Sequence, residues 1–128
     1  MASWDEVSRV CLALPETEET VTYGGARSWK VRGKGFVWER PLRTRDLEEL
    51  GDAAPAGPVL AAAVPDEGAK HALVADEPAV FFTTHHFDGY AAVLARLEGL
   101  DVATLTELAG EAWACRAPKR LRDQHRDL

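Results

Sequence analysis

Seven residues between Arg27 and Arg45 are basic and one, Glu39, is acidic. Arg27, Lys30, Arg32 and Lys34 come at close spacing, and Arg40, Arg43 and Arg45 follow. Cations grouped in this way suit a phosphate backbone, because each neutralised phosphate releases counterions and the side chains grip without reading bases. Double-stranded DNA is the partner such a surface would take. The competing reading is a solvated sheet face, with Lys30 diagonal to Glu39.

A second group, His85-His86-Phe87-Asp88-Gly89-Tyr90, suggests either a metal or a ligand. Adjacent His side chains on an extended chain project to opposite sides, so they seldom hold one ion. No third ligand stands at helical or hairpin spacing, and no metal is expected. His86, Asp88 and Tyr90 can instead line a pocket with Phe82 or Phe87 as its wall, since small-molecule sites combine an apolar cleft with a few polar groups.

Covalent catalysis finds no support. Ser3, Ser8 and Ser28 lie outside any G-x-S-x-G turn. Cys11 and Cys115 fall on helical patterns with no cation at a fixed offset to lower a thiol pKa. Gly33-Lys34-Gly35 is not a phosphate-binding loop, and no dinucleotide fingerprint occurs. The chain reads as a non-enzyme with no catalytic residues and no cofactor.

Elements must position these groups, and composition bounds them. The 128 residues fit one domain, residues 1–128, large enough to fold around its own core. Net charge is −6, which weighs against nucleic acid, although a second basic cluster runs from Arg116 to Arg126. Two cysteines at opposite ends argue against a disulfide framework and for a reducing compartment. No apolar run reaches the ~20 residues that span a bilayer, and the polar, acidic start is unlike a signal peptide. A soluble, cytoplasmic protein with no membrane partner is the expectation.

Ser3 and Glu6 form a capping box, and Trp4, Val7, Cys11 and Leu14 then recur at helical spacing until Pro15. Glu16 to Glu19 reads as an exposed acidic linker. Strands are predicted at Thr20–Tyr23, Ser28–Arg32 and Gly35–Arg40. Gly33-Lys34 would make a two-residue type II′ turn. That register sets Trp29 against Trp38 and Val31 against Phe36 on one apolar face. Thr44 would cap a short helix containing Leu47 and Leu50 and ending at Gly51. Val59–Val64 is apolar on both faces, as a central strand is. Asp66 caps a helix carrying Ala69, Leu73 and Val74. Ala79–Thr83 and Tyr90–Leu97 are the last strands. Asp101 caps the longest helix, with Leu105, Leu108, Ala109, Ala112 and Trp113 on one side, and Pro118 starts a basic helical segment over 118–128.

The predicted order is helix, three strands, short helix, strand, helix, two strands, helix. Short connections favour an α+β fold with an antiparallel sheet of five or six strands and packed helices. The four tryptophans fit core positions. The strands that are apolar on both faces require helices on both sides or a second subunit, so the chain is a monomer or a homodimer.

Several segments in this order resemble the MmcQ/YjbR-like family. They are Ala13-Leu14-Pro15-Glu16-Thr17-Glu18-Glu19, Trp29 to Phe36, Phe82 to Tyr90, and Glu111-Ala112-Trp113 with Ala117-Pro118-Lys119. The match covers nearly the whole chain. It implies a small α+β fold and carries a DNA-binding label, with no catalytic residues to transfer. One continuous positive face joining the hairpin to Lys119, Arg120 and Arg122 would favour DNA. Basic residues paired one by one with acids, beside a formed cleft, would favour a ligand-binding or protein-interaction domain using the 85–90 loop and the sheet face.

Overall fold

The computed structural model describes residues 2–22 and 24–125. Tyr23 and 126–128, the ends of the predicted first strand and of the basic C-terminal segment, lie outside the described residues. The fold is α+β, with the predicted order of strands and helices.

The first helix, α1 (Trp4–Leu12), starts at the predicted capping box: the Glu6 N–H donates to the Ser3 hydroxyl and the Ser3 N–H to the Glu6 carboxylate. Its Val7 and Cys11 are fully buried. Burial raises the Cys11 thiol pKa to about 12, so it packs as a small apolar group. The Thr17 hydroxyl donates to the carbonyls of Cys11 and Leu14, satisfying helix-end acceptors that otherwise need water.

The acidic stretch after Pro15 is not a linker. It forms β1 (Thr17–Val21), the edge strand, which pairs with β2 (Arg27–Val31). Its acids alternate in role. Glu19 takes hydrogen bonds from the Trp29 indole and the Ser8 hydroxyl, joining α1, β1 and β2, while Glu18 stands opposite Lys30. Local charge masked a strand that tertiary pairing stabilises.

The hairpin between β2 and β3 (Lys34–Glu39) differs from the predicted register. The turn residues are Arg32 and Gly33, at φ 49° and 82°, as a type I′ turn requires. Val31 therefore pairs with Lys34 and Lys30 with Gly35. A bulge follows, after which Trp29 faces Val37 and Ser28 faces Trp38. The extra residue lets both Phe36 and Val37 join Trp29 and Val31 in the larger core, and it turns Trp38 to the opposite face. Trp29 stacks on Trp4, with ring centroids 6.1 Å apart.

Beyond β3 come α2 (Thr44–Leu50), β4 (Val59–Ala63), α3 (Glu67–Asp76), β5 (Phe81–Phe82), β6 (Ala92–Arg96), α4 (Val102–Arg116) and α5 (Lys119–Gln124). The last two strands are shorter than predicted. A turn closed by the Val80 N–H on the Glu77 carbonyl takes Ala79 and Val80, a bend takes Tyr90 and Ala91, and the 3-10 turn Leu97–Gly99 takes Leu97. A second 3-10 turn, His85–Phe87, lies between the two strands. The N-cap of α2 is Arg43 rather than Thr44, because the Asp46 carboxylate accepts the Arg43 N–H at 2.9 Å. Asp66 and Asp101 cap α3 and α4 as expected.

The six strands form one antiparallel sheet in the order β1-β2-β3-β4-β6-β5. Helices α1, α3, α4 and α5 pack on one face, burying Leu60, Ala62, Val93 and Ala95 with Leu105, Leu108, Trp113 and Leu121. The other face of β4 and β6, with Val59, Ala61, Ala92 and Leu94, is closed by Leu42, Leu50, Phe82 and Phe87. The two-sided apolar strands are thus covered within the chain. No helix among the described residues is long and apolar enough to cross a membrane.

Candidate functional site

The second face carries an open cleft of about 1040 Å³ between the start of α2 and the His85–Phe87 turn. Arg40, Arg43, Arg45, His85 and His86 line it, with Asp46, Glu48 and Glu49. Two stretches read separately in the sequence meet here: the end of the basic run and the paired histidines.

Arg40 builds the site without being open to a ligand. Its N–H continues the sheet by donating to the Val59 carbonyl at 2.9 Å. Its guanidinium is buried, donates to Asp46 at 3.2 Å and to the Pro41 carbonyl, and lies 5.4 Å above the Phe87 ring. Burial works to raise the Asp46 pKa, but the Arg43 N–H and the Arg40 charge outweigh it and hold the carboxyl below its usual value. Arg43 and Arg45, on either side of Thr44, are exposed and have no acid within ion-pair distance among the described residues.

The opposite wall is held from three directions. The Glu49 carboxylate on α2 accepts the His85 N–H at 3.0 and 3.1 Å. The Lys70 ammonium on α3, 1% exposed, donates to the Phe87 carbonyl at 2.7 Å and pairs with Glu67 at 2.8 Å. Arg40 covers the Phe87 ring. The His85 imidazole lies 3.1 Å from Asp88 and 3.7 Å from Glu49. The Asp88 hydrogen bond, then the Glu49 and Asp88 charges, raise the His85 pKa above its ordinary value.

The other predicted site residues divide. Arg32 sits in the hairpin turn, bound through two nitrogens to Glu16 at 2.8 and 3.1 Å. Lys34 is exposed beside that turn, and Arg27 and Lys30 are half-buried on β2. Lys30 lies across from Glu18 and Gly35 rather than diagonal to Glu39, whose carboxylate takes the Arg27 N–H instead. Of the five proposed pocket residues, only His86 lines the cleft. Phe82 and Phe87 are core, Asp88 is turned to His85, and Tyr90 is half exposed against Phe87. Lys119 pairs with Asp123, and α5 lies on the helix-covered face, away from α2. The C-terminal cations therefore lie apart from Arg43 and Arg45, while the hairpin-turn Arg32 is taken up by Glu16. Among the described residues no three His, Cys, Asp or Glu side chains group as a metal site.

Lys70, Glu49 and Asp46 escaped the sequence reading. A lysine within a helical pattern carries no mark of burial, and the partners of Lys70 and Glu49 lie 17 and 36 residues away. Asp46 left a faint signal, an acid in the first turn of a helix, where carboxylates act as caps.

A model of the YjbR family matches residues 12–115. Two relatives, "Uncharacterized protein Rv2570" of Mycobacterium tuberculosis and "Uncharacterized protein Mb2600" of Mycobacterium bovis, are each 49% identical over 124 residues, 94% of this chain and 93% of theirs. The crystal structure of Deinococcus radiodurans protein DR2400, of family-model domain DUF419, superimposes with a TM-score of 0.68 at 19% identity. It covers 97% of this chain and 88% of that one, a likeness of fold. With the matched motifs in their expected order on that fold, the chain belongs to the YjbR family.

Proposed function

We propose that this protein is a non-enzymatic, cytoplasmic binding domain whose cleft between α2 and the His85–Phe87 turn takes a small anion-bearing molecule. The observation that carries the reading is the convergence of Arg43 and Arg45 with His85 and His86 around one cavity whose walls are pinned by buried ion pairs and hydrogen bonds. Rigid walls lower the ordering cost of binding. Arginine supplies forked donors that match phosphate and carboxylate oxygens. Of the rest of the basic run, Arg32 is paired with Glu16 and Arg40 is buried against Asp46, so neither is open to a phosphate backbone. Calorimetric titration with sulfate, phosphate and citrate tests the proposal. Binding that disappears in Arg43→Ala/Arg45→Ala supports it, and no heat from any of the three removes it.

A second reading, a duplex DNA-binding surface, is favoured by Lys34, Arg43 and Arg45, which have no ion-pair partner among the described residues. It requires affinity for a random duplex that falls steeply with salt. Fluorescence anisotropy showing no binding at ~100 mM salt would eliminate it.

A further inference from the structure

We infer that the ligand of this cleft is a planar aromatic ring carrying a phosphate, as in a nucleoside monophosphate. The inference rests on the anion-binding reading above and assigns the rest of the ligand. The cavity, about 1040 Å³, is far larger than a bare oxyanion needs and reaches the upper end of the ~300–1,000 Å³ typical of sites for whole small molecules. Something beyond the anion belongs there.

The walls indicate what. His86 lines the cleft, and its ring meets Phe87 at 5.0 Å between centroids and 73° between planes. Phe87 meets Tyr90 in the same way, at 5.9 Å and 73°. The middle ring of this row is immobilised by the Arg40 guanidinium and by the Lys70 bond to its own carbonyl. His86 and Tyr90 remain exposed on either side of it. Of the three rings only His86 lines the cleft. That ring, set edge-on against the fixed Phe87 and beside the unpaired Arg43 and Arg45, offers the stacking face for a base while the cations take the phosphate. Glu48 adds a third requirement. A carboxylate in the wall repels a bare oxyanion but accepts hydrogen bonds from sugar hydroxyls or an exocyclic amine.

The test titrates adenosine monophosphate, ribose 5-phosphate and adenosine into the wild type, His86→Ala and Arg43→Ala/Arg45→Ala by calorimetry. Wild type should bind adenosine monophosphate about tenfold more tightly than ribose 5-phosphate, the scale of one base–aromatic stack. His86→Ala should abolish that advantage, so that the two phosphates then bind alike. Arg43→Ala/Arg45→Ala should weaken both phosphates, and adenosine alone should bind weakest. Equal affinity for the two phosphates in wild type, or a ring advantage that survives in His86→Ala, overturns the ring and leaves the anion cleft standing. No binding of either phosphate, or binding indifferent to the two arginines, overturns the cleft itself.

Discussion

Arg40 keeps its charge inside the protein because three groups share it: the Asp46 carboxylate, the Pro41 carbonyl and the Phe87 ring. Arg43, three residues on, has no such partners and faces the cleft. Residues of one type within one short segment thus divide into support and open donor. Breaking a buried pair leaves an uncompensated charge, so Asp46→Asn should cost roughly 3 kcal/mol at pH 7 in urea unfolding. The cost should depend on pH. The folded-state pKa of Asp46 lies below the ordinary 3.8, so its carboxylate stabilises the fold above that value, and the contribution is lost as pH falls through the folded value. The gap between wild type and Asp46→Asn should therefore narrow below about pH 4. A gap that stays constant from pH 7 to pH 3 would show that Asp46 does not act through its charge.

Two short elements set the geometry around these residues. In the β2–β3 turn Gly33 adopts φ 82° with open space where a Cβ would stand, so the only obstacle to a side chain there is the backbone conformation. Gly33→Ala should cost about 1–2 kcal/mol. Gly24→Ala, also in open space but without a positive φ, should be neutral or slightly stabilising, and equal effects at the two sites would contradict the turn assignment. The His85–Phe87 turn depends on a residue of another element. Lys70→Met removes the donor to the Phe87 carbonyl and should destabilise by about 1–3 kcal/mol. Amide hydrogen exchange resolves where the loss falls: the Phe87 and Asp88 amides should exchange faster while those of α1 and α4 keep their ranking. Uniform acceleration throughout the chain would mean that Lys70 supports the core in general and not this turn.

At the scale of the whole molecule, one sheet separates two cores. The larger lies under α1, α3, α4 and α5, and the smaller lies under α2 and the His85–Phe87 turn. Since β4 and β6 are covered on both faces, a second subunit is not needed to hide them. Among the described residues the exposed large apolar side chains, Leu12, Val21, Leu47, Tyr90 and Val102, belong to five different segments. Light scattering should therefore report one species with the mass of a single chain, and a concentration-independent dimer would contradict this. Much of the architecture was legible in the sequence. The Ser3–Glu6 capping box, the Asp66 and Asp101 caps and the unbroken apolar run at Val59–Ala63 are local signals, and each element stands in its predicted order. The acidic start of β1, Thr17 to Glu19, and the bulge beside Phe36 were not legible, because a charged segment becomes a strand only when a partner pairs with it, and a bulge is a relation between two strands. The site was half legible: Arg43, Arg45 and His86 were named, but under two rival readings. By itself the sequence determined the order of the elements, most of the segments that are helix or strand, and where the cations and rings lie along the chain, because caps and periodicity act over a few residues. Only the tertiary structure decided that Arg40 is buried, that Arg32 is paired with Glu16, and that Arg43 and His86 share one cleft. Those outcomes depend on contacts between residues far apart in the chain, which no local pattern records.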